Sequence, residues 1–192
     1  MVETGRDLRG DAGFSILEVL VATTILSVSL AALAQLFVMS TQANTSARTT
    51  GYASVLAQQK MEQLRGLTFG FDNLGLPITD FTTKTTTADE NVSNGKGLTP
   101  SPAKTLGKNV DGYCDFIDQF GNVIGGGTIA PSGTIYIRRW SIEPLPTNPN
   151  NTLVLQVLVT RSHKERVDDN DAAVKRLPDE ARIISVKTRK AS

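Results

Sequence analysis

The chain has 192 residues, a length that fits one domain with a modest core. Its 20 lysines and arginines nearly balance 19 aspartates and glutamates, which argues against a strongly basic nucleic-acid binder held by overall charge. One cysteine (Cys114) and one histidine (His163) exclude an internal disulfide and a four-ligand cysteine–histidine zinc site, and leave little room for histidine acid–base chemistry. The 40% of residues that are hydrophobic are unevenly spread, and that distribution carries the information.

Residues 1–13 form a short polar segment in which Glu3, Asp7 and Asp11 outnumber Arg6 and Arg9. An apolar run starts abruptly at Phe14, and no formal charge occurs from Val19 to Ala47. About 20 such residues suffice to cross a bilayer as a helix, and the Ser and Thr hydroxyls can bond back to helix carbonyls. A buried core helix is the plain alternative, but core helices of soluble domains rarely avoid charge for so long. A cleaved secretory signal needs a basic start and a shorter apolar stretch. The segment therefore reads as a permanent single-pass anchor. Its flanks carry Arg6 and Arg9 on one side and Arg48, Lys60 and Arg65 on the other, so the positive-inside rule leaves orientation open.

Glu18 is the exception inside this run. A carboxylate in hydrocarbon is costly, about 2.5–3.5 kcal/mol at the centre of a span and less near its end. It is either a tolerated edge charge or one that has a cationic partner. No Lys or Arg lies within two turns on the same face, so such a partner must come from another chain or from an amine made by cutting this one.

Gly13-Phe14-Ser15-Ile16-Leu17-Glu18-Val19, followed by the apolar helix, resembles the processing signal of type IV prepilins and type II secretion pseudopilins. The resemblance covers about the first 50 residues. It implies that a prepilin peptidase cuts the Gly13–Phe14 bond and methylates the new amine of Phe14. It also implies that Glu18, the fifth mature residue, pairs with the terminal amine of a neighbouring subunit and sets register in a filament. The acidic leader departs from the family, whose leaders are commonly basic. Gly13 also has a plain reading as a flexible joint before the span.

Beyond the span, Ala53, Ala57, Met61 and Leu64 make an apolar stripe, with Gln58, Lys60 and Arg65 placed off it. Gly66 marks the expected stop. A helix from Phe14 to Leu64 would run about 76 Å at 1.5 Å per residue. Residues 14–39 are then the transmembrane segment and 40–65 the amphipathic half. Residues 66–112, rich in Thr, Gly, Asn and Pro, read as a long variable surface loop with one short strand.

Residues 113–192 read as strands joined by turns: Tyr113–Ile117, Asn122–Ile124, Thr134–Ile142, Thr152–Arg161 and Ala181–Thr188. Phe120-Gly121-Asn122 makes a turn, and the prolines and asparagines from Pro144 to Asn151 make another. The apolar alternation changes phase at Arg138-Arg139, which suggests a bulge. Leu153, Leu155, Val157 and Val159 line one face of the clearest strand, and Ile184 and Val186 share a face of the last. With no helix between strands the sheet is antiparallel. The expected fold class is α+β and type IV pilin-like, a long N-terminal helix packed on a small antiparallel sheet. The head loosely resembles those of PilV-type minor pilins.

Chemistry-bearing motifs are weak. Asp168, Asp169 and Asp171 lack calcium-loop spacing and read as a solvated hairpin tip. Gly125-Gly126-Gly127 lacks the Lys-Ser/Thr of a phosphate loop and reads as a turn. Cys114 reads as a small buried strand residue, and His163 as a solvated side chain with no nucleophile near it in sequence. Arg138, Arg139 and Trp140 are a weak candidate for ligand or base stacking, set against an ordinary exposed strand face.

The expected function is a minor pilin of a type IV pilus with no enzymatic activity, metal or cofactor. The implied partners are the prepilin peptidase, other pilins or pseudopilins and an inner-membrane assembly platform. It would be held in the bacterial inner membrane with its head in the periplasm before entering a filament. A type II secretion pseudopilin is the near alternative. An anchored periplasmic domain binding DNA or a surface ligand through Arg138, Arg139 and Trp140 is the distant one, since nucleic-acid binding has little support.

Overall fold

The computed structural model describes residues 13–86, 95–162 and 180–189. The chain divides into two compact units between Thr45 and Ser46. Helix α1, Ile16–Gly66, extends through that boundary. Its sequence contains no proline, and good helix formers dominate its second half. The apolar side chains of the first unit are exposed, and no described residue before Ser46 is buried. Among the described residues this is the one helix long and apolar enough to cross a membrane.

In the second unit α1 buries Ala53, Leu56, Ala57, Lys60, Met61 and Leu64. The expected stripe is present, and Leu56 and Lys60 widen it. Lys60 therefore departs from its expected place off the stripe, for reasons given below. The helix ends at Gly66, where the Lys187 ammonium donates to the Leu64 and Arg65 carbonyls.

Two three-residue strands follow, β1 (Phe69–Phe71) and β2 (Pro77–Thr79), paired antiparallel as a hairpin. The expectation of one short strand in this stretch is thus corrected to two. Their turn is built by Asp72, whose Oδ1 accepts the Leu74 and Leu76 amides, and by Gly75 at φ +77°. The stretch is also less superficial than expected, since Thr85, Leu98 and Thr105 are buried.

The main sheet contains β3 (Cys114–Ile117), β4 (Val123–Gly126), β5 (Tyr136–Pro144), β6 (Thr152–Arg161) and β7 (Ala181–Thr188). Its order is β4-β3-β5-β6-β7, antiparallel throughout. The α+β, type IV pilin-like architecture expected from the sequence is the one observed: the helix packs on a small antiparallel sheet. Tyr136, Trp140 and Ile142 of β5 join Leu153, Leu155, Val157 and Val159 of β6 against α1.

No bulge interrupts β5, whose register with β6 is continuous from Tyr136↔Arg161 to Pro144↔Leu153. Arg138 keeps the phase of Tyr136 and Trp140, so a charged residue within an apolar face mimicked a phase change. The register shift in the sheet lies instead between Phe116 and Ile117, where β3 meets β4. Gly125 and Gly126, expected in a turn, belong to β4, and the turn conformation falls on Gly127 at φ +107°. Ile184 and Val186 do share a face, the exposed one, while Ala181 and Ile183 pack with the core. Cys114 is buried with Phe116 and Ile137 in a second small cluster. His163 and the Asp168, Asp169, Asp171 group lie outside the described residues.

Candidate functional site

The N-terminal site is built around one helix start. Ser15 precedes α1; its Oγ accepts the Leu17 amide at 3.3 Å and its carbonyl accepts the Val19 amide at 3.2 Å. Ser15 is therefore the N-cap, and Glu18 stands three residues later, at the position of a capping-box carboxylate near the positive end of the helix dipole. This explains locally why a carboxylate is tolerated there.

Gly13 and Phe14 lie outside the helix. Phe14 is 82% exposed, and among the described residues no atom beyond its chain neighbours lies within 4 Å of where a side chain on Gly13 would begin. The Gly13–Phe14 peptide is thus free of helical hydrogen bonding and open to close approach. One turn further, Glu18 is exposed and makes no ion pair among the described residues. Gly13 and Phe14 precede the helix, and Glu18 lies in its first turn, four residues after Phe14.

Along the apolar segment the hydroxyls of Thr23, Thr24, Ser27, Ser29 and Thr41 all donate to carbonyls one turn back, at 2.7–2.9 Å to the residue four before. Each polar group of these side chains is satisfied inside the helix, as a span through hydrocarbon requires.

The second candidate, Arg138, Arg139 and Trp140, was expected on an exposed face, and this is corrected. Arg138 and Arg139 are each 3% exposed and Trp140 is 0% exposed. None of the three offers a surface on which a base could stack. Arg139 lies on the opposite side of β5, where its Nε donates to Asn109 at 2.9 Å.

Arg138 belongs to a buried ion cluster that the sequence reading missed. Its Nε and Nη2 donate to the two carboxylate oxygens of Asp115, both at 2.9 Å, and its Nη1 donates to the Leu56 carbonyl at 3.0 Å. The Lys60 ammonium lies 2.8 Å from Asp115 Oδ2, 4.3 Å from the centre of the Trp140 ring, and also donates to the Thr85 carbonyl. Burial pulls the Lys60 pKa down to about 8; Asp115 opposes this and Arg138 adds to it. The cluster ties α1, β3, β5 and the Thr85 segment together.

A signal for it does exist in the sequence. Lys60 is in line with Leu56 and Leu64 on the helix, Asp115 alternates with Tyr113 and Ile117, and Arg138 with Tyr136 and Trp140. Each charge stands at an apolar phase position of its own element. Among the described residues no group of three or more His, Cys, Asp or Glu is placed to hold a metal ion.

Residues 8–34 match the prokaryotic N-terminal methylation motif. No curated protein and no solved structure matches the chain. The motif spans the Gly13, Phe14 and Glu18 positions and runs into the apolar helix. It supports a type IV pilin or pseudopilin, points to a structural subunit in place of an enzyme, and fits anchoring in the inner membrane.

Proposed function

We propose that the chain is a minor pilin of a type IV pilus. Prepilin peptidase cuts the Gly13–Phe14 bond and methylates Phe14, and residues 14–39 hold the product in the inner membrane with its head in the periplasm. The assembly platform then extracts it to prime or join a filament, where Glu18 pairs with the terminal amine of a neighbouring pilin. The observation that carries this reading is the methylation motif lying over an exposed, non-helical Gly13–Phe14 bond one turn before Glu18. A carboxylate with no ion-pair partner among the described residues, near a bond whose cleavage creates an amine, makes an electrostatic pair available between subunits. A type II secretion pseudopilin would use the same residues in the same way.

Mass analysis of the mature N-terminus after co-expression with the peptidase tests the reading. The expected product begins at methylated Phe14; a chain that retains Met1 overturns it. The Glu18→Gln variant should insert into membranes normally and enter filaments at least about tenfold less well, the equivalent of about 1.4 kcal/mol.

A further inference from the structure

One pocket of the head lies apart from the Gly13–Glu18 site and from the Lys60–Asp115–Arg138 cluster. It lies between the β1–β2 hairpin and the turn that joins β5 to β6, with a volume of about 360 Å³. Phe69, Phe71, Phe81, Pro144 and Pro149 are among its walls, and Arg189 is its one charged lining residue.

Arg189 is unusual in its partners. It donates to the carbonyls of Asn150, Gly70 and Ile78 and to the Thr79 hydroxyl, at 2.8–3.1 Å. Its guanidinium carbon also lies 4.1 Å from the Phe69 ring centre and 5.6 Å from that of Phe71. Every one of these partners is neutral. They orient the guanidinium without neutralising it, and no carboxylate pairs with it among the described residues. Arg138, by contrast, is equally well hydrogen-bonded and has Asp115 as its counter-charge.

We propose that this pocket binds a small apolar organic acid, with the carboxylate over Arg189 and the apolar body among the phenylalanine and proline side chains. The bonds to Asn150, Gly70, Ile78 and Thr79 occupy Nε, Nη1 and one hydrogen of Nη2, so the oriented guanidinium keeps one Nη2 N–H for a charge-assisted hydrogen bond to a carboxylate beside the aromatic walls. The volume is near the lower end of small-molecule sites, about 300–1,000 Å³, which sets the scale of the ligand. The proposal is independent of the pilin reading, since it concerns the head alone.

The test uses the full chain in lipid nanodiscs, with empty nanodiscs as the blank, and two probes that differ only in charge: N-acetyl-L-phenylalanine and its neutral amide. Ligand-observed NMR titration should show the acid binding at least about tenfold more tightly than the amide, with affinity falling as salt is raised. Phe81 is 53% exposed, so Phe81→Ala should leave the fold intact, as read by Trp140 fluorescence, and weaken the acid about tenfold. Equal binding of acid and amide, no saturable binding of either, or unchanged affinity in the Phe81→Ala chain would each overturn the proposal.

Discussion

The two halves of α1 solve the same physical problem in opposite ways. In the first unit the helix presents apolar side chains on every side, excludes charge after Glu18, and satisfies its hydroxyls on its own carbonyls one turn back. In the second unit the same helix admits a buried lysine, because a carboxylate from β3 and a carbonyl from the Thr85 segment meet its ammonium. A polar group that leaves water must be paired. Within a lone span the partner has to come from the same helix, whereas against a sheet it can come from residues far away in sequence.

The strongest way to break this contrast is to remove the shared anion. Asp115→Ala leaves Lys60 and Arg138 as two buried cations with no counter-charge, and should destabilise the head by about 3–5 kcal/mol. Denaturant unfolding of the full chain in detergent, followed by the single tryptophan Trp140, reads the loss. A charge placed in the first half comes next. Leu26→Arg puts a cation where α1 has no distant partner, and should cost insertion about 2.5–3.5 kcal/mol, seen as a fall in the membrane-integrated fraction.

Lys60→Met has a smaller expected effect, because the Asp115–Arg138 pair stays balanced and an apolar chain fills the space. A change within about 1–2 kcal/mol is expected, chiefly from the Thr85 carbonyl that loses its donor. The same variant sharpens the comparison through pH. With the folded Lys60 pKa at about 8 against an ordinary value of 10.5, the unfolded chain binds the extra proton between those limits. Stability from this group therefore rises with pH across that window, and parallel unfolding curves should lose that rise in Lys60→Met.

At the acid end, Asp80 has the opposite sign. Partial burial raises its pKa, but the Thr83 hydroxyl and the Thr83 and Thr82 amides outweigh this and hold it below the ordinary value. Its contribution is present above the ordinary carboxylate range and is lost as pH falls through the lowered value. Asp80→Asn should flatten that acid limb slightly, which makes it the smallest of these effects.

Much of this molecule could be read from local pattern. The span, the Gly13-Phe14-Ser15…Glu18 register, the helix stripe and the alternation in β6 are periodicities of 3.6 or 2 that act through neighbouring residues. The errors at charged residues share one cause. Arg138 looked like a phase change and, with Arg139 and Trp140, like an exposed face, and Lys60 looked like a solvated residue, because the partner that lets each be buried is remote. The hairpin of β1 and β2 was under-read because three-residue strands are too short to show alternation, and their turn rests on the side-chain bonds of Asp72.

The sequence alone thus determined where the chain is apolar enough to span a membrane, where its helix ends, and that Gly13, Phe14 and Glu18 stand in the spacing of the methylation motif, whereas the helix starts at Ile16, two residues after the expected Phe14, because Ser15 caps it. Those are properties of contiguous residues. Only the tertiary structure decided that Lys60, Asp115 and Arg138 form one buried cluster around Trp140, and that Arg189 lies beside phenylalanines with no carboxylate paired to it among the described residues. The physical reason is the same in both cases: the free energy of a charge depends on the neighbours that replace its water, and those neighbours are chosen by the fold.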